Sequence, residues 1–409
     1  MENQSFDIVV YGATSFVGKI LARYLTDFVA LNPEPALKWA IAGRSAAKLD
    51  QLKAELGQSD LPTIIADASD SVALTQMCRQ TKVVMTTVGP YALYGSTLLQ
   101  CCAETGTDYC DLTGEVQWIH HMLEAHEASA KASGARIVNC CGFDSIPSDL
   151  GVYYTQQKFQ EKFGKPASTV HMGMKAAKGG FSGGTYASLM NVMKEAADDP
   201  KLRKKMADPY LLCPGAKHKV HQHNPGLAEY DALSDYWTAP FIMAAINTRI
   251  VHRSNFLLEE QYGPDFRYQE TFLVGKGLSG RAKATAMGAG LGGFMLTASL
   301  RPGRWLLGKI LPEPGEGPSP EEQLAGFYDM RFYASDEQGN TLVGKVTGDR
   351  DPGYGSTSKM LAQSGLCLLQ DVDREACPGG FWTPASGLGN TLQTRLEKHA
   401  GLTFSVVEE

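Results

Sequence analysis

Short apolar runs alternate with helix-period segments over the first 150 residues or so. Asp7–Tyr11 is a short apolar run stopped by Gly12, the pattern of a strand buried on both faces. From Lys19 to Leu25 the apolar residues fall at helical spacing. The strand pattern returns at Lys38–Ala42, Pro62–Ala66, Val83–Val88, Thr107–Leu112 and Ala135–Cys140, with helix-period stretches such as Ala46–Leu56 between. Strands separated by helices of this length predict a parallel sheet covered on both faces.

The rhythm then changes. Ser168–Met174 reads as a strand, Thr185–Ala197 as a helix, and 198–235 as a polar, Pro-punctuated surface excursion. Pro240 suits the first turn of a helix reaching about Asn255. Phe327–Ala334 and Thr341–Thr347 flank Asp336-Glu337-Gln338-Gly339-Asn340 as a hairpin. A last helix is expected over Ser356–Asp371, before a tail from Gly379. The expected organisation is α/β: a doubly wound parallel sheet over 1–150, an α+β domain over 151–351, and a C-terminal helix and tail over 352–409.

The formal net charge of −6 gives no electrostatic footprint for nucleic acid. The nine cysteines include no Cys-x-x-Cys, so they read as reduced thiols in a cytoplasmic chain without a metal site. The polar start is no signal peptide. His218, His221 and His223 lie in a polar segment and read as a solvated loop. Glycine is abundant, 43 of 409, yet residues 1–274 hold only 20 of them. The surplus therefore lies after residue 274, away from the candidate chemistry near the N-terminus.

That chemistry begins at Gly12-Ala13-Thr14-Ser15-Phe16-Val17-Gly18, between the first strand and the first helix. Backbone amides at a helix N-terminus suit a dinucleotide pyrophosphate, with Gly12 making the turn and Gly18 allowing close helix–strand packing, as in a Rossmann unit. Ser15 replaces the usual middle glycine; it costs some close approach, but its hydroxyl can donate to phosphate. The second strand ends in Arg44, with Lys48 one turn on, where a carboxylate would hold the ribose of NAD. A guanidinium there matches a 2′-phosphate, which points to NADP(H). Asp67 at the third strand end, and Thr87, Gly89 and Pro90 at the fourth, are further candidate cofactor contacts.

Several motifs occur in a fixed order: Tyr-Gly-Ala-Thr-Ser-Phe-Val-Gly (11–18), Ala-Gly-Arg (42–44), Val-Gly-Pro-Tyr (88–91), Tyr-Cys-Asp-Leu-Thr-Gly-Glu (109–115) and Gly-Phe-Asp-Ser-Ile-Pro-Ser-Asp-Leu-Gly (142–151). Gly-Gly-Thr-Tyr-Ala-Ser (183–188), Pro-Phe-Ile-Met-Ala-Ala-Ile-Asn-Thr-Arg (240–249), Gly-Tyr-Gly-Ser-Thr-Ser-Lys-Met (353–360) and Thr-Pro-Ala-Ser (383–386) follow. Together they resemble the saccharopine dehydrogenase-like oxidoreductases, and within them the trans-acting enoyl reductases. The resemblance implies a second domain of saccharopine-reductase type, a final helix packed on the Rossmann part, and reduction of double bonds on apolar acyl or lipid chains. A carrier for the acyl group and a homo-oligomer are compatible with it.

Enoyl reduction needs a donor at the carbonyl oxygen and an acid for the α-carbon. Tyr91, Asp111 and Asp144 are the candidates, following the fourth, fifth and sixth strands. Two other readings stand beside this one. Saccharopine-type amino-acid chemistry would need paired basic residues, for which Arg249 and Arg253 are available. A lipid-surface protein that retains NADP without turnover is the third.

Gly179–Thr185 reads either as an anion-binding loop or as a close-packing device. Ala284–Leu300 carries no charge over seventeen residues, with Arg281 and Lys283 before it and Arg301 and Arg304 after. At about 26 Å as a helix it falls short of a ~30 Å hydrocarbon core. The segment 284–311 is expected to be either buried Gly-rich packing or a peripheral contact with a membrane surface.

Overall fold

The computed structural model describes residues 4–179, 183–307, 309 and 317–408. It divides into two compact units. The first holds the chain up to Phe143 together with Gly353–Ala400. The second begins at Asp144, takes in Pro318–Pro352 and resumes at Gly401.

In chain order the strands are β1 Phe6–Tyr11, β2 Trp39–Gly43, β3 Thr63–Ile65, β4 Thr81–Thr86, β5 Asp108–Cys110, β6 Arg136–Val138, β7 Thr169–Lys178, β8 Glu229–Asp231, β9 Tyr236–Pro240, β10 Arg267–Gly275, β11 Phe327–Ser335, β12 Thr341–Gly348, β13 Gly380–Trp382 and β14 Leu402–Val406. The first sheet runs β13-β6-β5-β4-β1-β2-β3, every pair parallel. Its order reverses beside β1, so the crevice at the carboxyl ends of β1 and β4 is the expected ligand position of an open α/β sheet. Ile8, Val9, Val10, Ile41, Val83, Val84 and Met85 have no exposure, which explains why these strands read as continuous apolar runs rather than alternating ones.

The first unit is completed from the far end of the chain. The helix Thr357–Gln370 approaches β4 so closely that a Cβ on Gly365 would lie 2.5 Å from Met85 Sδ. Arg136 pairs with buried Asp108 at 2.5 Å and donates to the carbonyl oxygens of Leu368 and Val372. β13 adds a strand beyond β6.

The second sheet runs β14-β12-β11-β7-β10-β9-β8; only β7 and β10 are parallel neighbours. β11 and β12 alternate buried and part-exposed residues, as a sheet covered on one face should. The helix Ile146–Phe163 covers that face. A Cβ on Gly151 would meet the Phe332 ring at 2.2 Å, and one on Gly344 the Thr155 hydroxyl at 2.1 Å. Part of the late glycine surplus is thus spent on close packing, with Gly326, Gly348 and Gly365 in similar positions.

Three local expectations differ from the structure. Pro240 ends β9, and the helix starts at Ala244; proline lacks only the donor, so a strand end tolerates it. The polar stretch 198–235 contains the helix Pro200–Met206, β8, and the buried side chains of Leu212 and Cys213. The C-terminal stretch splits, because β14 pairs with β12 in the second unit while Gly353–Ala400 belongs to the first. Gly180, Phe181 and Ser182 of the Gly-rich loop, and part of 307–316, lie outside the described residues. No helix among the described residues is long and apolar enough to cross a membrane.

Candidate cofactor site and catalytic groups

The loop after β1 is held by a short chain of hydroxyls. Gly12 has φ +82°, a backbone conformation that favours glycine, and a Cβ there would meet Val88 at 2.6 Å. A Cβ on Gly18 would lie 2.2 Å from the Gly12 carbonyl oxygen. Ser15 Oγ accepts from the Gly18 amide at 2.9 Å and caps the helix Phe16–Leu31. Thr87 Oγ1 donates to the Gly12 carbonyl at 3.0 Å and lies 2.9 Å from Ser15 Oγ. Since the threonine proton is used on Gly12, the serine proton is the one left for the Ser15–Thr87 contact.

Ser15 thus caps the helix and, through its contact with Thr87, ties two loops together. Among the described residues the amides of Thr14, Phe16 and Val17 have no backbone acceptor. These N–H groups at a helix start, beside glycines that no side chain could replace, form an anion cradle that fits a pyrophosphate.

Arg44 follows β2 directly, is exposed, and forms no hydrogen bond or ion pair among the described residues. Lys48 is exposed in the first turn of the next helix, whose N-cap is Ser45. Asp67 lies within electrostatic range of Arg44, but hydrogen bonds from the Ser69 hydroxyl and amide are the larger reason its carboxyl titrates low. The two cations supply the charge that a 2′-phosphate requires, and no carboxylate stands at the end of β2 to hold a free 2′-hydroxyl.

Past Gly89 and Pro90, the next candidates turn out to fasten loops. Tyr91 is buried; its hydroxyl donates to the Thr86 carbonyl at 3.1 Å and accepts from the Leu112 amide at 3.0 Å. Burial, then the Asp111 charge, pushes its phenol well above the usual range. Its single proton is therefore spent on Thr86, which leaves none for a substrate oxygen and corrects the assignment of Tyr91 as donor. Glu115 accepts from the Tyr91 and Ala92 amides at 2.7 and 3.0 Å, capping the short helix Tyr91–Tyr94.

Asp111 has no exposure. It accepts from Tyr109 Oη, Asn139 Nδ2, and the amides of Thr113 and Cys140. Burial raises it to about 6 against those hydrogen bonds. An enclosed carboxyl with four donors is a clamp between the loops after β5 and β6.

Asp144, first residue of the second unit, is different. Its carboxyl is raised to about 6 by burial, and no hydrogen bond or neighbouring charge opposes that shift. The side chain is half-buried and so retains access to solvent.

Behind Asp144 lies a buried polar network that sequence reasoning missed. Ser145 Oγ lies 3.1 Å from Asn247 Oδ1. Asn247 Nδ2 donates to Ser148 Oγ at 3.1 Å and to Glu270 Oε2 at 2.9 Å. Tyr268 Oη donates to Glu270 Oε1 at 2.7 Å. Glu270 is 1% exposed, and burial lifts its carboxyl to about 7. The available signal was weak: a Glu just ahead of the apolar run Phe272-Leu273-Val274, where a buried charge would need partners.

Arg249 and Arg253 are also committed. Arg249 donates to the Met206 carbonyl and Arg253 to the Leu212 carbonyl. Arg253 is 3% exposed, so the pair anchors the 198–235 excursion. His218 and His223 pair with Glu260 and Glu229.

With this geometry in place, the relatives fall into one group. A family model described as the saccharopine dehydrogenase NADP binding domain matches residues 8–138. The trans-acting enoyl reductase of Mycobacterium tuberculosis (strain H37Rv) is 37% identical over 406 residues, covering 96% of each chain. The trans-acting enoyl reductase of Mycobacterium leprae is 37% identical over 409 residues, 97% of this chain and 96% of its own. Among solved structures, apo saccharopine dehydrogenase (L-Glu forming) from Saccharomyces cerevisiae has the same fold, with a TM-score of 0.52 at 14% identity over 98% of this chain and 100% of that one.

Proposed function

From the premise that the chain belongs to the saccharopine dehydrogenase-like oxidoreductases and is an NADP(H)-dependent enzyme of that family, we propose that it reduces the α,β-double bond of an apolar acyl chain, presented as a thioester or ester. The named enoyl reductases at 37–39% identity over almost the whole chain carry this reading. Bound NADPH supplies the hydride. The amides of Thr14, Phe16 and Val17 hold its pyrophosphate, with Arg44 and Lys48 on the 2′-phosphate. Asp67, Thr87, Gly89 and Pro90 line the remaining strand ends.

Asp144 is the proposed acid for the α-carbon. Of the three sequence candidates it alone combines a carboxyl raised to about 6 with access to solvent. The Ser145–Asn247–Glu270 network fixes the turn that carries it. Amino-acid chemistry of saccharopine type is disfavoured, because the Arg249 and Arg253 guanidinium groups already serve backbone carbonyls.

The test is NADPH oxidation against a panel of enoyl thioesters. A carboxylic acid titrating near 6 is protonated below that pH, so kcat/KM should be flat on the acid side and fall as pH rises through about 6. Asp144→Asn should lower kcat about 100-fold and flatten that limb. Oxidation of NADPH by none of the thioesters would overturn the enoyl reading. Unchanged kcat in Asp144→Asn would overturn the acid.

A further inference from the structure

The seventeen-residue uncharged stretch forms most of the helix Gly277–Ser299 in the second unit. Its inner side is closed: Ala284, Gly288 and Ala298 are buried, and a Cβ on Gly288 would lie 1.9 Å from the Leu227 carbonyl oxygen. Its other side is open among the described residues. Ala286, Met287, Ala289, Gly290, Gly293 and Leu296 are all exposed. The exposed apolar surface continues through Leu300 to Trp305, with Leu296 and Trp305 each 65% exposed. A contiguous face of this kind on a helix marks an interaction surface.

Charge selects the occupant. From Thr271 to Pro312 the chain carries Lys276, Arg281, Lys283, Arg301, Arg304 and Lys309, and no Asp or Glu. These cations precede and follow the apolar stretch. Arg281 lies over the Trp237 ring at 5.4 Å, and Lys309 over the Trp305 ring at 3.8 Å, an aromatic–cation pairing suited to a water–lipid boundary. A helix of 23 residues is about 34 Å long.

We propose that this face docks on the surface of an anionic phospholipid bilayer, with the helix lying flat and its basic ends on the head groups. A second copy of the chain is the weaker partner: Lys276 is paired with Asp235 at 2.6 Å, but two such faces in contact would bring the remaining cations of the two copies against one another. The inference stands on this helix and does not depend on which double bond the enzyme reduces.

Vesicle flotation of the full chain tests it. Vesicles with roughly 30% phosphatidylglycerol should retain at least about tenfold more protein than pure phosphatidylcholine, and retention should fall in roughly 0.5 M NaCl. The exposed-site variants Leu296→Asp/Trp305→Asp and Lys283→Glu/Lys309→Glu should each lose most of that binding, while Tm and NADPH affinity stay at wild-type values. Absence of flotation by folded wild-type protein would overturn the proposal, as would flotation of both variants at the wild-type level. A dimer that Leu296→Asp dissociates, without vesicle binding, would assign the face to a second copy and overturn it too. Turnover on a soluble thioester, measured in parallel, reports on the enzymatic reading separately.

Discussion

Arg44 stands where an NAD-selective site would place a carboxylate, and its guanidinium has no hydrogen-bond or ion-pair partner among the described residues. Losing a charge-assisted contact to a 2′-phosphate costs about 1.5–3 kcal/mol. Arg44→Ala should therefore weaken NADPH about 10- to 100-fold and leave NADH nearly unchanged, as read by titration of both coenzymes. Tyr91 makes the opposite case. Removing its hydroxyl leaves the buried Thr86 carbonyl and Leu112 amide without that partner, so Tyr91→Phe should cost about 1–3 kcal/mol in denaturant unfolding. Its kcat should stay within about threefold of wild type, since the lost contacts are structural. The place of Arg44 was legible because it depends only on position directly after a strand. The hydrogen bonds of Tyr91, Asp111 and Ser15 were not legible, because sequence shows a polar group at a strand end but not which partners it already holds within the fold.

At the scale of elements, the helix Ile146–Phe163 lies against β11 and β12 only because small residues occur where the chains approach. A methyl group on Gly151 would enter the Phe332 ring. Gly151→Ala should destabilise the second unit by about 1–3 kcal/mol, the usual cost of overpacking. NADPH affinity should be unchanged, because the cofactor loop belongs to the first unit. Thermal unfolding and coenzyme titration on the same variant check both halves. The parallel strands of the first sheet were readable from their apolar runs, and the β11–β12 hairpin from its alternation around Asp336–Asn340. β9 was hidden by Pro240, which suits a helix start as well as a strand end. The network around Glu270 was hidden because its members come from separate stretches of chain, Ser145–Ser148, Asn247 and Tyr268–Glu270.

For the whole molecule, the first unit is discontinuous in sequence, which has a direct consequence for folding. Arg136 and Asp108 are buried, and two of the Arg136 donors reach carbonyls beyond residue 367. A fragment ending at residue 143 would lose the close packing of Gly365 on Met85 and leave those groups without their partners. It should fail to fold or to bind NADPH, whereas the same fragment joined by a linker to 353–400 should recover both, as followed by circular dichroism and coenzyme titration. The sequence by itself determined the Rossmann pattern with its glycine loop after the first strand, the NADP(H) coenzyme and the family, because each rests on local spacing or on residues close along the chain. Only the tertiary structure decided which polar groups remain available for chemistry, how 353–400 completes the first unit, and which side of the uncharged helix is left open. Those outcomes depend on what packs against each group, and the partners come from far away in the chain.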